Sequence, residues 1–392
     1  NTGERHTIDG VELEFVYVLD TEAPVEIMVW IPQLKAFCTA EDMTHNMHNL
    51  QTLRGAKVRN GLLWSKAVDT AIERYGNQVE VSFSTHHWPT WGNERIVDYW
   101  EAQRDMYRYL HDQTLHLANR GLTPDEIAEE MKLPASLSSQ FNCRGYYGTL
   151  SHNVKAQYDL YFGWFNGNPA HLNPLPPSEL GAKYVEAIGG ADKVLEVAKA
   201  SYAKGEYRWV ATLLDNLVFA EPDNMEARQL LADTYTQLGY QAESGPWRNF
   251  YLTGARDLFK KDVPYTSQLI NDGVLAQMDM GTLLDYCAIQ LNGEKAAGKK
   301  AVININFTDT KEKVMLMLNN GVLNHRLDSQ DEKADLTLEI EKMNFVKLFF
   351  GRTDLQTLLK TDKVKTTGNT QAMDVICSAY EPADPNFKIV LP

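Results

Sequence analysis

Lys35-Ala-Phe-Cys-Thr-Ala40-Glu41-Asp-Met-Thr-His45-Asn-Met-His48-Asn49-Leu-Gln-Thr-Leu-Arg54 joins a short apolar run to a stretch crowded with groups that bind cations and oxyanions. Its first six residues suit a short buried strand leading to Glu41. The remainder stops at Gly55 and, if helical, puts His45 and Asn49 on one face at i, i+4 with Arg54 one turn further. The guanidinium of Arg54 has the planar fork that suits sulfate or phosphate oxygens, and Asn49 is a neutral donor beside it.

Upstream, Val11-Glu-Leu-Glu-Phe-Val-Tyr-Val18 and Glu26-Ile-Met-Val-Trp-Ile31 alternate apolar and polar residues as strands do. Downstream, residues 60–75 predict a helix closed by Gly76, and Val79-Glu-Val-Ser-Phe-Ser84 predicts a strand that delivers His86 at its C-terminal end. Strands alternating with helices predict an α/β layer. From 93 to 120, Ile96, Trp100, Tyr107, Leu110 and Leu117 recur at helical spacing, with Asn93 able to cap and Gly121 to stop the helix. Thr123-Pro-Asp-Glu126 has the pattern of a capping box opening another helix.

Pro174-Leu-Pro-Pro177 marks a rigid link at a domain boundary. Residues 178–258 are expected to be all-helical, with breaks at Gly189-Gly190, Gly205, Pro222, Gly239 and Gly245-Pro246, and too few repeat-like hairpins for a solenoid. From about 264 an α+β domain is expected: a helix at Met280–Leu291, strands at Ala301–Phe307, Val314–Leu318 and Ala334–Ile340, and helical pieces at Met343–Phe350 and Asp354–Leu359. Val314–Leu318 is apolar on both faces. With Leu283, Leu284, Phe345, Phe349 and Phe350 it forms either an ordinary core or the lining of a tunnel for an alkyl chain.

The 392 residues carry a net charge of −14, which disfavours general affinity for nucleic acid or an anionic membrane, so an anionic substrate needs a local cationic site. The four cysteines are far apart and form no CxxC pair, arguing against a disulfide framework and a cysteine zinc site. No apolar run is long enough for a membrane span. Glu22, Glu41 and His86 stand at strand ends, where they are either ordinary solvated loop residues or part of the donor set of a two-zinc site.

Four strings, Ala40–Arg59, Ser84-Thr-His-His-Trp-Pro-Thr-Trp-Gly-Asn93, Arg144-Gly-Tyr-Tyr-Gly-Thr-Leu-Ser-His-Asn-Val-Lys-Ala156 and Gly163-Trp-Phe-Asn-Gly-Asn-Pro169, resemble the alkylsulfatases of the metallo-β-lactamase superfamily. The resemblance implies the C-terminal part of a zinc-hydrolase αββα sandwich at 1–150, a helical dimerisation domain at 151–262 and a sterol-carrier-like α+β domain at 263–392. It implies Glu22 as a ligand of one zinc, Glu41 as the bridging carboxylate and His86 as a ligand of the second. Asn49 and Arg54 would hold the sulfate, and Tyr146, Tyr147, His152 and Tyr158 fall in a region that contributes to the same pocket. His45 and His48 are candidates for contact with the substrate or leaving group, and His87 for support of His86.

The activity so implied is zinc-dependent hydrolysis of an alkyl sulfate such as dodecyl sulfate, in a homodimer located in the periplasm or secreted. The His-x-His-x-Asp-His motif, which supplies further metal ligands in the superfamily, is absent from the chain and is expected upstream of Asn1. Two alternatives stand beside this reading: a non-catalytic lipid-binding and dimerisation module, and a hydrolase of the same fold acting on a different ester or a lactam.

Overall fold

A computed structural model describes residues 1–261, 271–384 and 386–392. They divide into two compact units, Asn1–Lys260 with Ile389–Pro392, and Lys261–Lys388. The expected boundary between 262 and 263 lies outside the described residues.

The first unit opens with a six-stranded sheet in chain order: β1 (Glu4–Ile8), β2 (Val11–Leu19), β3 (Val25–Ile31), β4 (Ala36–Cys38), β5 (Val81–Phe83) and β6 (Thr90–Trp91). Every pairing is antiparallel except β4 with β5, which run parallel because α1 (Gly61–Tyr75) crosses between them. Asn60 caps α1, its side chain accepting from the amides of Leu62 and Leu63. Trp64, Val68, Ala71 and Tyr75 form the buried stripe of α1 and share one core with Val16, Val18, Met28, Trp30 and Phe37 of the sheet. The long helix α2 (Asn93–Ala118) contributes Ile96, Trp100, Tyr107 and Leu110 to that core.

Asn93 does not cap α2. It is the first helical residue, and its amide donates to the carbonyls of Gly76 and Val79, fastening the end of α1 to the approach to β5. The capping box of α3 (Pro124–Glu130) forms as expected between Thr123 and Glu126. After the single turn α4 (Ala135–Ser138), α5 (Leu150–Phe162) also joins the first core through Val154, Ala156 and Tyr158.

Residues 41–54 are not helical, so the i, i+4 pairing of His45 and Asn49 does not arise; residues 39–60 are irregular and, through Asn49 and Leu50, largely buried. A buried irregular segment must find partners for its backbone groups elsewhere. Trp64 Nε1 donates to the Asp42 carbonyl (2.6 Å), Gln103 Nε2 to the Asn46 carbonyl (3.2 Å), and the His48 amide to Tyr107 Oη (3.1 Å). From α5, Asn153 bridges the His48 carbonyl and the Leu50 amide (2.9 and 2.8 Å), while Gln157 bridges the Arg59 carbonyl and the Gly61 amide (both 2.9 Å). Asp, Thr and Asn residues weaken the local helix preference, and these tertiary bonds take its place.

Five helices follow, α6 (Pro177–Ile188), α7 (Ala191–Ala203), α8 (Tyr207–Ala220), α9 (Met225–Gln241) and α10 (Gly245–Asp257); the breaks at Gly189-Gly190, Gly205, Pro222 and Gly245-Pro246 fall at helix ends as expected, whereas Gly239 lies inside α9, buried against Leu252. They bury a separate core around Val194, Leu214, Leu217 and Leu231, and the C-terminal Leu391 packs into it.

The second unit holds α11 (Asp272–Gln277), α12 (Met280–Ile289), β7 (Ala301–Phe307), β8 (Lys313–Asn319), β9 (Val322–Leu327), β10 (Leu336–Ile340), α13 (Lys342–Phe349), α14 (Leu355–Leu359), β11 (Val364–Gly368) and α15 (Gln371–Cys377). Its sheet order is β11-β10-β7-β8-β9, with only β10 and β7 parallel. Strands β9 and β11 and helix α15 were not expected, although Asn320-Gly321, with φ of 53° and 77°, is a hairpin turn signal joining β8 to β9. Leu283, Leu284, Phe345 and Phe349, read beforehand as possible tunnel lining, are packed with Leu316 and Leu318 as core, and Phe350 lies at its edge. Buried Lys342 donates to the carbonyls of Ala276 (2.9 Å) and Met278, tying α13 to the end of α11.

Gly148 shows how tightly the irregular segment is held. Its amide donates to the Met47 carbonyl (2.8 Å), and a Cβ there would stand 2.5 Å from the His48 carbonyl oxygen and 2.8 Å from Asn49 Cα. Gly148→Ala is expected to destabilise the first unit by about 1–3 kcal/mol. All eight tryptophans fall between Trp30 and Trp247, so tryptophan fluorescence during urea unfolding reads that unit alone. An unchanged midpoint would refute the close approach.

Candidate metal and anion site

Three turns meet at one end of the first sheet. Cys38 and Phe83 are register partners in the parallel pair β4 and β5, and Glu41 and His86 each lie three residues beyond them, so both emerge at the carboxyl ends of neighbouring strands. Strand β3 runs antiparallel to β4, so the turn preceding it, which carries Glu22, opens at that same end.

One carboxylate oxygen each from Glu22 and Glu41 and a ring nitrogen of His48 lie within 4.8 Å of one another. His86 Nε2 is 2.5 Å from Glu41 Oε1, and His48 Nε2 is 3.8 Å from the same oxygen. The imidazole of His48, and then that of His86, hold the Glu41 carboxyl down to about 2 against the opposing effect of burial. His86 is exposed, whereas His48 is buried.

Behind this group the negative charge continues. The Glu41 amide donates to Glu26 Oε1 (3.0 Å), and Asp42 is completely buried beside Glu26. Burial first, and then the charge of Glu26, push the Asp42 carboxyl well above its usual range; burial likewise raises Glu26. Among the described residues neither oxygen of Asp42 nor Glu26 Oε2 makes a well-formed hydrogen bond, although the Thr21 hydroxyl and the Glu26 carboxyl both face the Asp42 carboxyl. Glu22, Glu41 and His48, with His86 against Glu41, are the oxygen and nitrogen donors at this sheet end that could hold a metal ion, of the kinds that zinc accepts.

Arg59 provides the cationic counterpart. Its Nη2 pairs with Glu22 Oε1, its Nε donates to the Glu22 carbonyl (2.6 Å), and its Nη1 donates to both the backbone carbonyl (2.9 Å) and the side-chain oxygen of Asn49. The same Nη1 lies 3.2 Å from His48 Nδ1. Asn49 is only 3% exposed, and its Nδ2 makes no hydrogen bond with the described residues.

The remaining expected site residues are distributed differently. Arg54 lies exposed on the outer part of the loop, with no partner among the described residues. The Tyr147 ring stands 4.8 Å from that of His48. Tyr146 is exposed against Phe141 and the Arg144 guanidinium. Tyr158 is in the core beside Phe162.

His152 accepts from Trp247 Nε1 at Nδ1 (3.1 Å), which leaves Nε2–H to donate to the Gln51 carbonyl (2.7 Å); burial lowers its pKa, consistent with the neutral ring. His45 is stacked between Trp88 and Tyr99, both centroids 4.8 Å away, and its Nε2 faces the Trp88 carbonyl at 3.1 Å. His87, at φ 69°, stands over the edges of His45 and Trp88 rather than against the Glu41 carboxylate.

Arg59, Asn153 and Gln157 were missed from sequence. Arg59 sits beside the Asn60 cap, where it reads as a surface residue, and the i, i+4 amide pair on α5 is the one local sign that this helix grips a backbone.

Two families match the chain, alkyl sulfatase dimerisation over residues 123–261 and alkyl sulfatase C-terminal over 268–392. A linear primary-alkylsulfatase of Pseudomonas sp. is 46% identical over all of this chain and 58% of its own length. A solved structure of the stereoselective inverting sec-alkylsulfatase Pisa1 from Pseudomonas sp. superposes with a TM-score of 0.97 at 41% identity, covering 100% of this chain and 62% of that one. The chain thus spans less than two thirds of the length of each. A linear primary-alkylsulfatase of Pseudomonas sp. (strain ATCC 19151) is 31% identical over 96% of the chain and 73% of its own length, and on this evidence the chain belongs to the alkylsulfatase family.

Proposed function

We propose that the protein carrying this chain hydrolyses alkyl sulfate esters to an alcohol and inorganic sulfate. The observation that carries the reading is the convergence of Glu22, Glu41, His48 and His86 at one sheet end with the free Nδ2 of Asn49 beside them. Residues 1–150 are read as part of a metallo-β-lactamase sandwich and 263–392 as a sterol-carrier-like domain. The mixed sheet with its parallel β4–α1–β5 unit and the helix-covered five-stranded sheet support these assignments.

Glu22, Glu41 and His86 would hold zinc, with His48 close enough to join or support them. Bound zinc supplies a Lewis acid and lowers the pKa of water toward neutrality. Asn49 Nδ2 donates to a sulfate oxygen, and Arg54 swings from the loop to neutralise its charge. Of the two histidines considered for proton transfer to the leaving alkoxide, His48 is the better placed, because its Nε2 faces Glu41 Oε1 within the site, whereas the His45 ring lies between Trp88 and Tyr99 with Nε2 on the Trp88 carbonyl.

Three outcomes are expected. Release of sulfate from dodecyl sulfate, followed by ion chromatography, stops after treatment with a zinc chelator and returns on adding zinc; turnover that persists in metal-free protein would sink the zinc assignment. Arg54→Ala lowers kcat/KM by roughly 10–100-fold, the loss of one charged hydrogen-bonding partner; an unchanged value would remove Arg54 from the anion site. The match of residues 123–261 to the dimerisation family supports a homodimer, so light scattering should return twice the chain mass of the protein.

A further inference from the structure

We infer that Arg59 is a positioning residue that sets the metal-side carboxylate and the anion-side amide in one geometry. The inference rests on the sulfatase reading above. Arg59 is largely buried, at 11% side-chain exposure, and its guanidinium is shared between two groups to which different tasks fall. One side grips Glu22 through both side chain and backbone; the other grips Asn49 through both side chain and backbone.

A guanidinium can only donate, so the Asn49 atom facing Nη1 must be the carbonyl oxygen. That bond excludes the flipped amide, in which two donors would face each other. The Nδ2–H group is therefore turned away from Arg59 and kept free to donate to an oxyanion.

On the other side, Nη2 fixes the Glu22 carboxylate and offsets part of the negative charge that Glu22 and Glu41 bring together. The backbone of Arg59 is itself held, its carbonyl by Gln157 and its amide by the Leu50 carbonyl (2.8 Å). Arginine suits this task because its rigid planar fork spans two partners at fixed angles, which a lysine ammonium does not.

The test is made on the protein carrying this chain, purified with zinc. Arg59→Lys keeps the charge beside Glu22 and removes the fork; Arg59→Gln is the second variant should the lysine form fail to fold, as judged by circular dichroism. Two quantities are measured, inhibition by inorganic sulfate and zinc affinity by competition with a chromogenic chelator. The expected result is sulfate inhibition weakened by about 10-fold or more and zinc affinity lowered by roughly 10–100-fold, the usual effect of removing a partner of a metal ligand.

A double-mutant cycle then separates positioning from direct contact. In an Asn49→Ala background, Arg59→Lys is expected to leave sulfate inhibition within about twofold, because its effect on the anion passes through Asn49. A second, additive loss in that background would mean that Arg59 touches sulfate itself and would overturn the proposal. Sulfate and zinc constants both unchanged, or a loss confined to one of them, would overturn it equally while leaving the sulfatase reading intact. Should the unaltered protein neither retain zinc nor hydrolyse dodecyl sulfate, the reading of the site fails, and this inference with it.

Discussion

A buried chain without regular structure has to satisfy its peptide groups one at a time, and this requirement governs the first unit. Residues 39–60 leave the sheet, pass through the core and return to α1 without forming a helix. Their amides and carbonyls are met by Trp64 on the adjoining α1, and by Gln103, Tyr107, Asn153 and Gln157 on α2 and α5, which are distant in sequence. Each such bond is modest in net terms, but an unpaired buried group costs about 1–3 kcal/mol, so the set acts together. The consequence is a loop with the rigidity of regular structure, which is what a metal and anion site needs.

Sheet topology supplies the second constraint. A single parallel pair within an otherwise antiparallel sheet sends two chain segments out at one end, and an adjoining turn adds a third. Carboxylates from all three crowd together, and the cost of that crowding shows in Asp42, whose buried acid is pushed upward, while Glu41 is held down by two imidazoles. Opposite shifts in adjacent residues arise because Asp42 is fully buried and then faces Glu26, whereas Glu41 is partly open and faces two imidazoles. Arg59 lies between the acidic side and Asn49, within reach of both.

Much of the regular structure was legible. The stripe of Trp64, Val68, Ala71 and Tyr75, the long apolar face of α2, the Thr123–Glu126 capping box and the alternation of β2 and β3 are local patterns, and local patterns survive folding. The elements that escaped are short or exposed: β1 is solvent-facing throughout, β6 has two residues, and β9 and β11 bury few side chains, so neither shows a strong period. The helical reading of 41–54 failed for a different reason. Its polar residues matched a helical face, but tertiary partners offered its backbone better bonds than its own next turn did.

The candidate site divides along the same line. Sequence alone determined the inventory of candidates: Glu22, Glu41 and His86 at strand ends, Asn49 and Arg54 as side chains able to donate to an anion, and a resemblance to alkylsulfatases resting on strings of specific residues. Only the tertiary structure decided who meets whom. It brought His48 to Glu41 and Glu22, enclosed His45 between two rings, left Arg54 outside, and placed Arg59 against Asn49 and Glu22. The physical reason is that residue types and periodicity report what each side chain can bond, whereas an irregular buried loop takes its path from partners on α1, α2 and α5 that no local pattern contains.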